Sequence, residues 1–226
     1  MKIGAEMILI PEGEFLMGGT SVRERPMRKV FLDAYRMGMF PVTVAEFKAY
    51  CLDEKIDFSK FPRPSWGWID DHPMIRVNWR EARDFCIWAG GDLPTEAQWE
   101  KAARGEDGRE YPWGDEWDPT CCQCSWRTLG DAESTSPVGS YPSGASPFGC
   151  LDMAGNVWEW CLDWYQDGYA GQSDHNPTGP ESGTSCVMRG GSWFYRDSKN
   201  FRTTRRKHLG PWFHNYDRGF RLAGPA

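Results

Sequence analysis

No cysteine follows Cys186 in this 226-residue chain, and its only histidines are His72, His175, His208 and His214. Their spacing gives no helical His-x-x-x-His metal pair. Cys121-Cys122-Gln123-Cys124 also lacks the second Cys-x-x-Cys unit of a structural zinc site. The eight cysteines stay open between thiols, disulfides and metal ligands. No apolar run approaches the roughly 18 residues of a membrane span, so membrane insertion is not expected. Met1-Lys2-Ile3-Gly4-Ala5-Glu6 begins no apolar signal region, which sets the expectation of a mature or intracellular chain. Positive charge is not in excess either. The net charge of −6 argues against general nucleic-acid binding. No internal repeat and no clean linker divides the chain, so residues 1–226 read as one domain.

Turn formers and tryptophan are abundant. With 25 glycines, 16 prolines and 13 tryptophans, the chain should hold less regular structure than most and bury large aromatic groups. Met7 to Gly18 reads as a hairpin, two apolar runs around a Pro-Glu-Gly turn, and residues 28–40 read as a strand pair. Three helices carry start signals. Thr43 with Glu46, Asn78 before Trp79–Ala89, and Thr95 with Gln98 are candidate caps, and Gly90-Gly91 ends the second helix. Beyond residue 104 no helical period recurs. Residues 151–160 lead into an apolar strand, and residues 166–185 read as an exposed polar loop.

The C-terminal stretch, about residues 190–221, behaves differently. Trp193, Phe220 and Leu222 at its ends are core-sized. Between them Phe194, Tyr195, Arg196, Lys207, His208, Leu209, Trp212, Phe213, His214 and Tyr216 show neither helical nor alternating order. Large aromatics mixed with bases are what interface centres favour, because rigid rings give contact area at low entropic cost. These ten residues are the candidate ligand-binding set, against the plainer reading of an aromatic surface loop. Arg202, Arg206 and Arg218 are expected to anchor the segment from beneath, and residues 1–190 to form a scaffold insensitive to the candidate side chains.

A series of motifs occurs in order: Gly13-Glu14-Phe15-Leu16-Met17-Gly18, Pro41-Val42-Thr43, Leu93-Pro94-Thr95-Glu96, Tyr111-Pro112-Trp113-Gly114, Gly155-Asn156-Val157-Trp158-Glu159-Trp160, Arg189-Gly190-Gly191-Ser192-Trp193 and Gly219-Phe220-Arg221. Together they resemble the formylglycine-generating-enzyme, or sulfatase-modifying-factor, family over nearly the whole chain. The resemblance implies a single α+β domain of C-type-lectin-like type. Enzymes of that family hold copper on two cysteines between the last two motifs. Counted from the C-terminal end those positions fall at Ser198 and Thr203; counted from Trp193 they fall at Asn200 and Arg205. Neither register meets a cysteine, and a hydroxyl is a poor soft ligand for copper(I). No copper is therefore expected, and no oxidase activity.

The variable proteins of diversity-generating retroelements resemble this chain more fully, since they share its closing frame around a hypervariable surface. That resemblance implies a non-catalytic receptor whose ligand is a protein or cell-surface group, displayed on a virion or cell. A formylglycine-generating-enzyme-like oxidoreductase acting on cysteine is the alternative. The iron-dependent sulfoxide synthases are a third relative, but the histidines they need are missing. Asp152, Gly155, Val157 and Glu159 match family positions that hold calcium, two carboxylates and two carbonyls suiting that hard ion. The opposing reading is that Glu159 pairs with a buried arginine such as Arg221.

Overall fold

The helices begin where their caps place them. In the computed structural model, which describes residues 4–125 and 134–226, Thr43 opens helix α1 (Val44–Asp53). Its Oγ1 accepts from the Glu46 amide, and Glu46 Oε2 accepts from the Thr43 amide, at 3.2 and 2.8 Å. Asn78 and Glu81 make the same exchange at the start of α2 (Trp79–Ala89), and Thr95 and Gln98 at the start of α3 (Glu96–Arg104). Each box satisfies two amides that a helix start leaves without partners. Gly90 stops α2 in a left-handed conformation. The mixed composition of helices and strands makes the fold α+β.

Strand pairing departs from the hairpin reading of residues 7–18. Strand β1 (Met7–Ile10) pairs antiparallel with β4 (Tyr35–Gly38), whereas β2 (Gly13–Met17) pairs antiparallel with β3 (Arg28–Leu32). The expected neighbours, β1 with β2 and β3 with β4, therefore belong to different sheets. Lys101, on α3, supplies the physical reason. Its Nζ donates to the carbonyls of Pro11 and Gly13 at 2.7 and 3.0 Å, so the chain turns a corner there rather than doubling back. Burial pushes the Lys101 ammonium below its ordinary pKa, with Glu106 acting the other way.

The larger sheet is centred on β5 (Trp158–Trp164). Its order is β7 (Lys207–Leu209), β6 (Cys186–Arg189), β5, then β8 (Arg218–Phe220). β5 and β8 run parallel, with Trp158, Glu159 and Trp160 opposite Arg218, Gly219 and Phe220. The last strand, β9 (Ala223–Pro225), returns to the first sheet and pairs with β4. The expected apolar strand after residue 151 is thus the middle of the molecule.

One apolar cluster joins α1 and α2 to this sheet through Phe47, Phe85, Trp160, Met188 and Phe220. A second joins the N-terminal strands to α3 through Phe15, Val30, Trp99 and Val187. Each fully buried side chain of this size contributes roughly 1.5–3 kcal/mol relative to exposure. All eight cysteines are buried, and no disulfide links them. Residues 166–185 are mostly exposed, as expected of a polar loop, except that Gly168, Pro177 and, completely, Tyr169 are buried. The Arg206 guanidinium lies 4.3 Å from the Tyr169 ring centre.

Candidate binding surface

Buried ion pairs hold the C-terminal stretch to the rest of the molecule. Arg189 Nη2 donates to Glu100 Oε2 at 2.5 Å and its Nη1 to Glu96 Oε1 at 3.1 Å. Arg206 meets the same Glu96 through Nε and Nη2 at 2.7 and 2.8 Å, and also donates to the carbonyls of Arg23 and Gln166. Arg202 pairs with Glu24 at 2.7 Å, and Arg218 with its neighbour Asp217. Burial works against the Glu96 carboxylate, but Arg206 and Arg189 outweigh it and hold its pKa below the ordinary value. Of the three arginines expected as anchors, Arg202 and Arg206 are tied to Glu24 and Glu96 outside the segment and Arg189 joins them, whereas Arg218 pairs with its own neighbour Asp217, within the segment.

Glycines set the two ends. Gly191 has φ +81°, and a Cβ there would lie 2.8 Å from the Asn200 carbonyl oxygen and 2.7 Å from the Phe201 ring. A Cβ on Gly219 would lie 2.6 Å from the Met74 carbonyl oxygen. Only glycine permits such backbone approach. Trp193, Phe220 and Leu222 are buried, as their size suggests.

Between these ends none of the ten candidate residues enters the core. Phe194, Trp212 and Phe213 are each more than half exposed; Arg196, His214 and Tyr216 are exposed too. The other four are half-buried and have structural partners. Tyr195 touches two apolar clusters, stands edge-on to Trp158 and accepts from Lys207. His208 stacks on Tyr165 at 3.8 Å between ring centres and contacts Ser185 Oγ at 3.0 Å. Burial, then Arg23, pushes the His208 pKa below its ordinary value. Leu209 leans on the core beside β6.

Lys207, Tyr195, Phe194 and Tyr216 form one chain of contacts, and the rest of the set lies to its sides. Phe194, Arg196 and Tyr216 gather with Ser65, Trp66, Arg76, Ser125 and Trp193 around a surface cleft of about 680 Å³. Trp212 and His214 lie instead at the start of α2, over Arg80 at 4.3 Å and against Glu81 at 3.0 Å. Lys207, His208 and Leu209 form the edge strand β7. Trp66 and Arg76 are the residues that sequence reasoning missed. Trp66 sits in residues 53–68, a stretch rich in proline, serine and tryptophan, and that composition was the available signal.

Glu159 takes the buried-arginine role. Its two oxygens accept from Arg221 Nε and Nη2 at 2.6 and 2.7 Å, and Oε2 also accepts from Trp99 Nε1 at 2.7 Å. Asp152 Oδ2 accepts from the Gly139 amide at 2.7 Å, and burial pushes that carboxyl up to about 6. Arg221 also donates to the carbonyl oxygens of Gly38 and Leu151. A guanidinium held in this way neutralises Glu159 and weakens its attraction for a divalent ion at Asp152, Gly155, Val157 and Glu159. Among the described residues no cluster of three or more His, Cys, Asp or Glu side chains is placed to hold a metal. At the family's copper positions in the C-terminal register, Ser198 lies in a short 3-10 turn, and Thr203 Oγ1 donates to the Arg109 carbonyl oxygen at 2.9 Å. No helix among the described residues is long and apolar enough to cross a membrane.

The architecture is that of the C-type-lectin-like domains found in formylglycine-generating enzymes. The chain matches the Sulfatase-modifying factor enzyme 1-like domain over residues 2–226 and belongs to that family. It is 41% identical over 171 residues to the formylglycine-generating enzyme of Streptomyces coelicolor, an alignment covering 69% of this chain and 54% of that enzyme. It is 36% identical over 242 residues to serine/threonine-protein kinase pkn1 of Chlamydia caviae, covering 96% of this chain but 38% of the kinase. The chain therefore spans about half, or less, of these relatives. Among solved structures, PvdO from Pseudomonas aeruginosa gives a TM-score of 0.86 at 24% identity, over 98% of this chain and 95% of PvdO. Treponema denticola variable protein 1 gives 0.77 at 23% identity, over 97% and 95%. These two likenesses show the fold.

Proposed function

We propose that this domain is a non-catalytic binding module, the variable protein of a diversity-generating retroelement, and that residues 190–221 present its ligand-binding surface. The observation that carries the reading is the position of the ten candidate side chains. They follow no core period, none is buried, and buried arginine pairs fix the backbone beneath them. Exposed aromatics with arginine among them are the residue types that carry most interface energy. The partner is a protein or cell-surface ligand. The fold shared with Treponema denticola variable protein 1 supports this reading, as does the chain's lack of any cysteine beyond Cys186.

The second reading, a cysteine-directed oxidoreductase, is favoured by the 41% identity to the Streptomyces enzyme. One assay separates the two. The protein is incubated with copper, reductant and a sulfatase-type peptide, and aldehyde is measured by mass spectrometry. The binding reading expects no aldehyde above the metal-only blank, whereas turnover above it establishes the oxidase. In the genome, a reverse transcriptase and a near-repeat of the sequence encoding the segment are expected beside the gene.

A further inference from the structure

We propose that the cleft walled by Trp66, Arg76, Trp193, Phe194, Arg196 and Tyr216 binds the carboxylate of an acidic peptide segment. The inference rests on the binding reading above and gives that surface a ligand chemistry.

The cleft joins apolar walls to unanswered donors. Trp193 stands edge-on to Trp66 at 5.6 Å and to Phe194 at 5.7 Å between ring centres, and Tyr216 lies 5.9 Å from both Trp193 and Phe194. Such edge-to-face contacts make a rigid frame. Two N–H groups of this frame are buried without an acceptor among the described residues, Arg76 Nε and Trp193 Nε1, and Trp193 itself is only 7% exposed. A buried donor left unanswered destabilises its surroundings. Arg76 is fixed in place: its φ is +55°, and its amide donates to the Asn215 carbonyl oxygen at 3.0 Å.

Charge narrows the acceptor. Among the described residues no acidic side chain lines the cleft, whereas two guanidinium groups do. Neither Arg76 nor Arg196 has a carboxylate partner among the described residues, unlike Arg189, Arg202, Arg206, Arg218 and Arg221. A carboxylate brings two acceptor oxygens, takes charge-assisted bonds from guanidinium and indole N–H alike, and leaves the flanking side chains for the rings. The exposed rim formed by Ser65, Phe194, Arg196 and Tyr216 leaves the cleft open, so the occupant extends beyond it as a peptide does.

The full chain is titrated calorimetrically with acetyl-Phe-Glu-Phe-Asp-Phe-amide, with its Gln/Asn counterpart and with its Lys/Lys counterpart. The acidic peptide should bind at least about tenfold more tightly than the amide peptide, the equivalent of one charge-assisted bond, and should weaken as salt rises. Arg76→Gln should remove the preference. Arg196→Gln, at an exposed position where folding is not at stake, should reduce it several-fold. Equal binding of the three peptides, or preference for lysine, overturns the charge assignment and leaves the binding reading standing. Binding of none of the three, or a preference unchanged in both variants, also overturns the proposal. Failure of the binding reading itself is read separately, as aldehyde formation in the copper assay.

Discussion

Arg221 lies fully buried against Glu159, with Nε 2.6 Å and Nη2 2.7 Å from the two carboxylate oxygens. Glu159→Gln leaves that guanidinium charged, buried and without its counter-ion. The expected loss is about 3–5 kcal/mol, the usual cost of removing one partner of a buried pair, measured by denaturant unfolding. Because Arg221 and Trp99 already donate to the two Glu159 oxygens, calcium and a chelator should leave the wild-type melting temperature unchanged. A calcium-dependent rise would show that Asp152 and Glu159 rearrange around the ion.

Serine substitutions on the candidate surface should divide into two groups. Phe213→Ser and Trp212→Ser act at exposed side chains and should change stability within about 0.5 kcal/mol each. Tyr195→Ser removes the ring from beneath Lys207 and from two apolar clusters, and His208→Ser removes the stack on Tyr165. These two should cost about 1–3 kcal/mol each. Thermal melts of the four single variants distinguish the groups. Equal, negligible losses would make all ten residues pure display positions, which the contacts of Tyr195 and His208 argue against.

The buried carboxyl of Asp163 gives a pH dependence with a definite sign. Burial, and then the charge of Glu96, pushes its pKa up to about 8 in the folded chain, far above the ordinary carboxyl value. The folded state then holds a proton that the unfolded state releases. This stabilisation is complete below the ordinary aspartate value and is lost as pH rises through about 8. Asp163 Oδ2 accepts from the Glu96 amide at 2.7 Å, a role that the side-chain amide oxygen introduced by Asp163→Asn can keep. The variant should lose the decline in melting temperature between the ordinary aspartate value and about pH 8; an identical slope in both proteins would assign the decline elsewhere.

Gly191→Ala tests the close approach at the start of the segment. The added methyl meets the Asn200 carbonyl oxygen at 2.8 Å, in a backbone conformation that L side chains rarely adopt. A loss of about 1–3 kcal/mol is expected from overpacking and strain together. Chemical unfolding measures it, with Gly224→Ala, where a Cβ meets nothing within 4 Å, as the control.

Local chemistry was legible in the sequence, and pairing over distance was not. Thr43, Asn78 and Thr95 announce their helices because a capping box is written within four residues. The β1–β2 corner could not be read, because it depends on Lys101, some ninety residues away in sequence. Glu24, Glu96 and Glu100 look like any surface acids until the fold brings Arg189, Arg202 and Arg206 to them. The candidate surface was legible by its broken periodicity. Its neighbours Trp66, Arg76, Arg80 and Glu81 were not, since they come from elsewhere in the chain.

The position of β8 and β9 bears on how the chain folds during synthesis. A ribosome that has released only residues 1–190 holds β4 without β9 and β5 without β8, each exposing unpaired amides and carbonyls. The segment carrying the aromatic surface therefore also supplies β8 to the four-stranded sheet and leads into β9 of the three-stranded one, so residues 1–190 alone leave β4 and β5 without those partners. Translation order makes completion of the domain wait until β9 has left the ribosome. A stop codon anywhere after Arg189 but before β9 should yield a chain fit for degradation rather than a shortened binder.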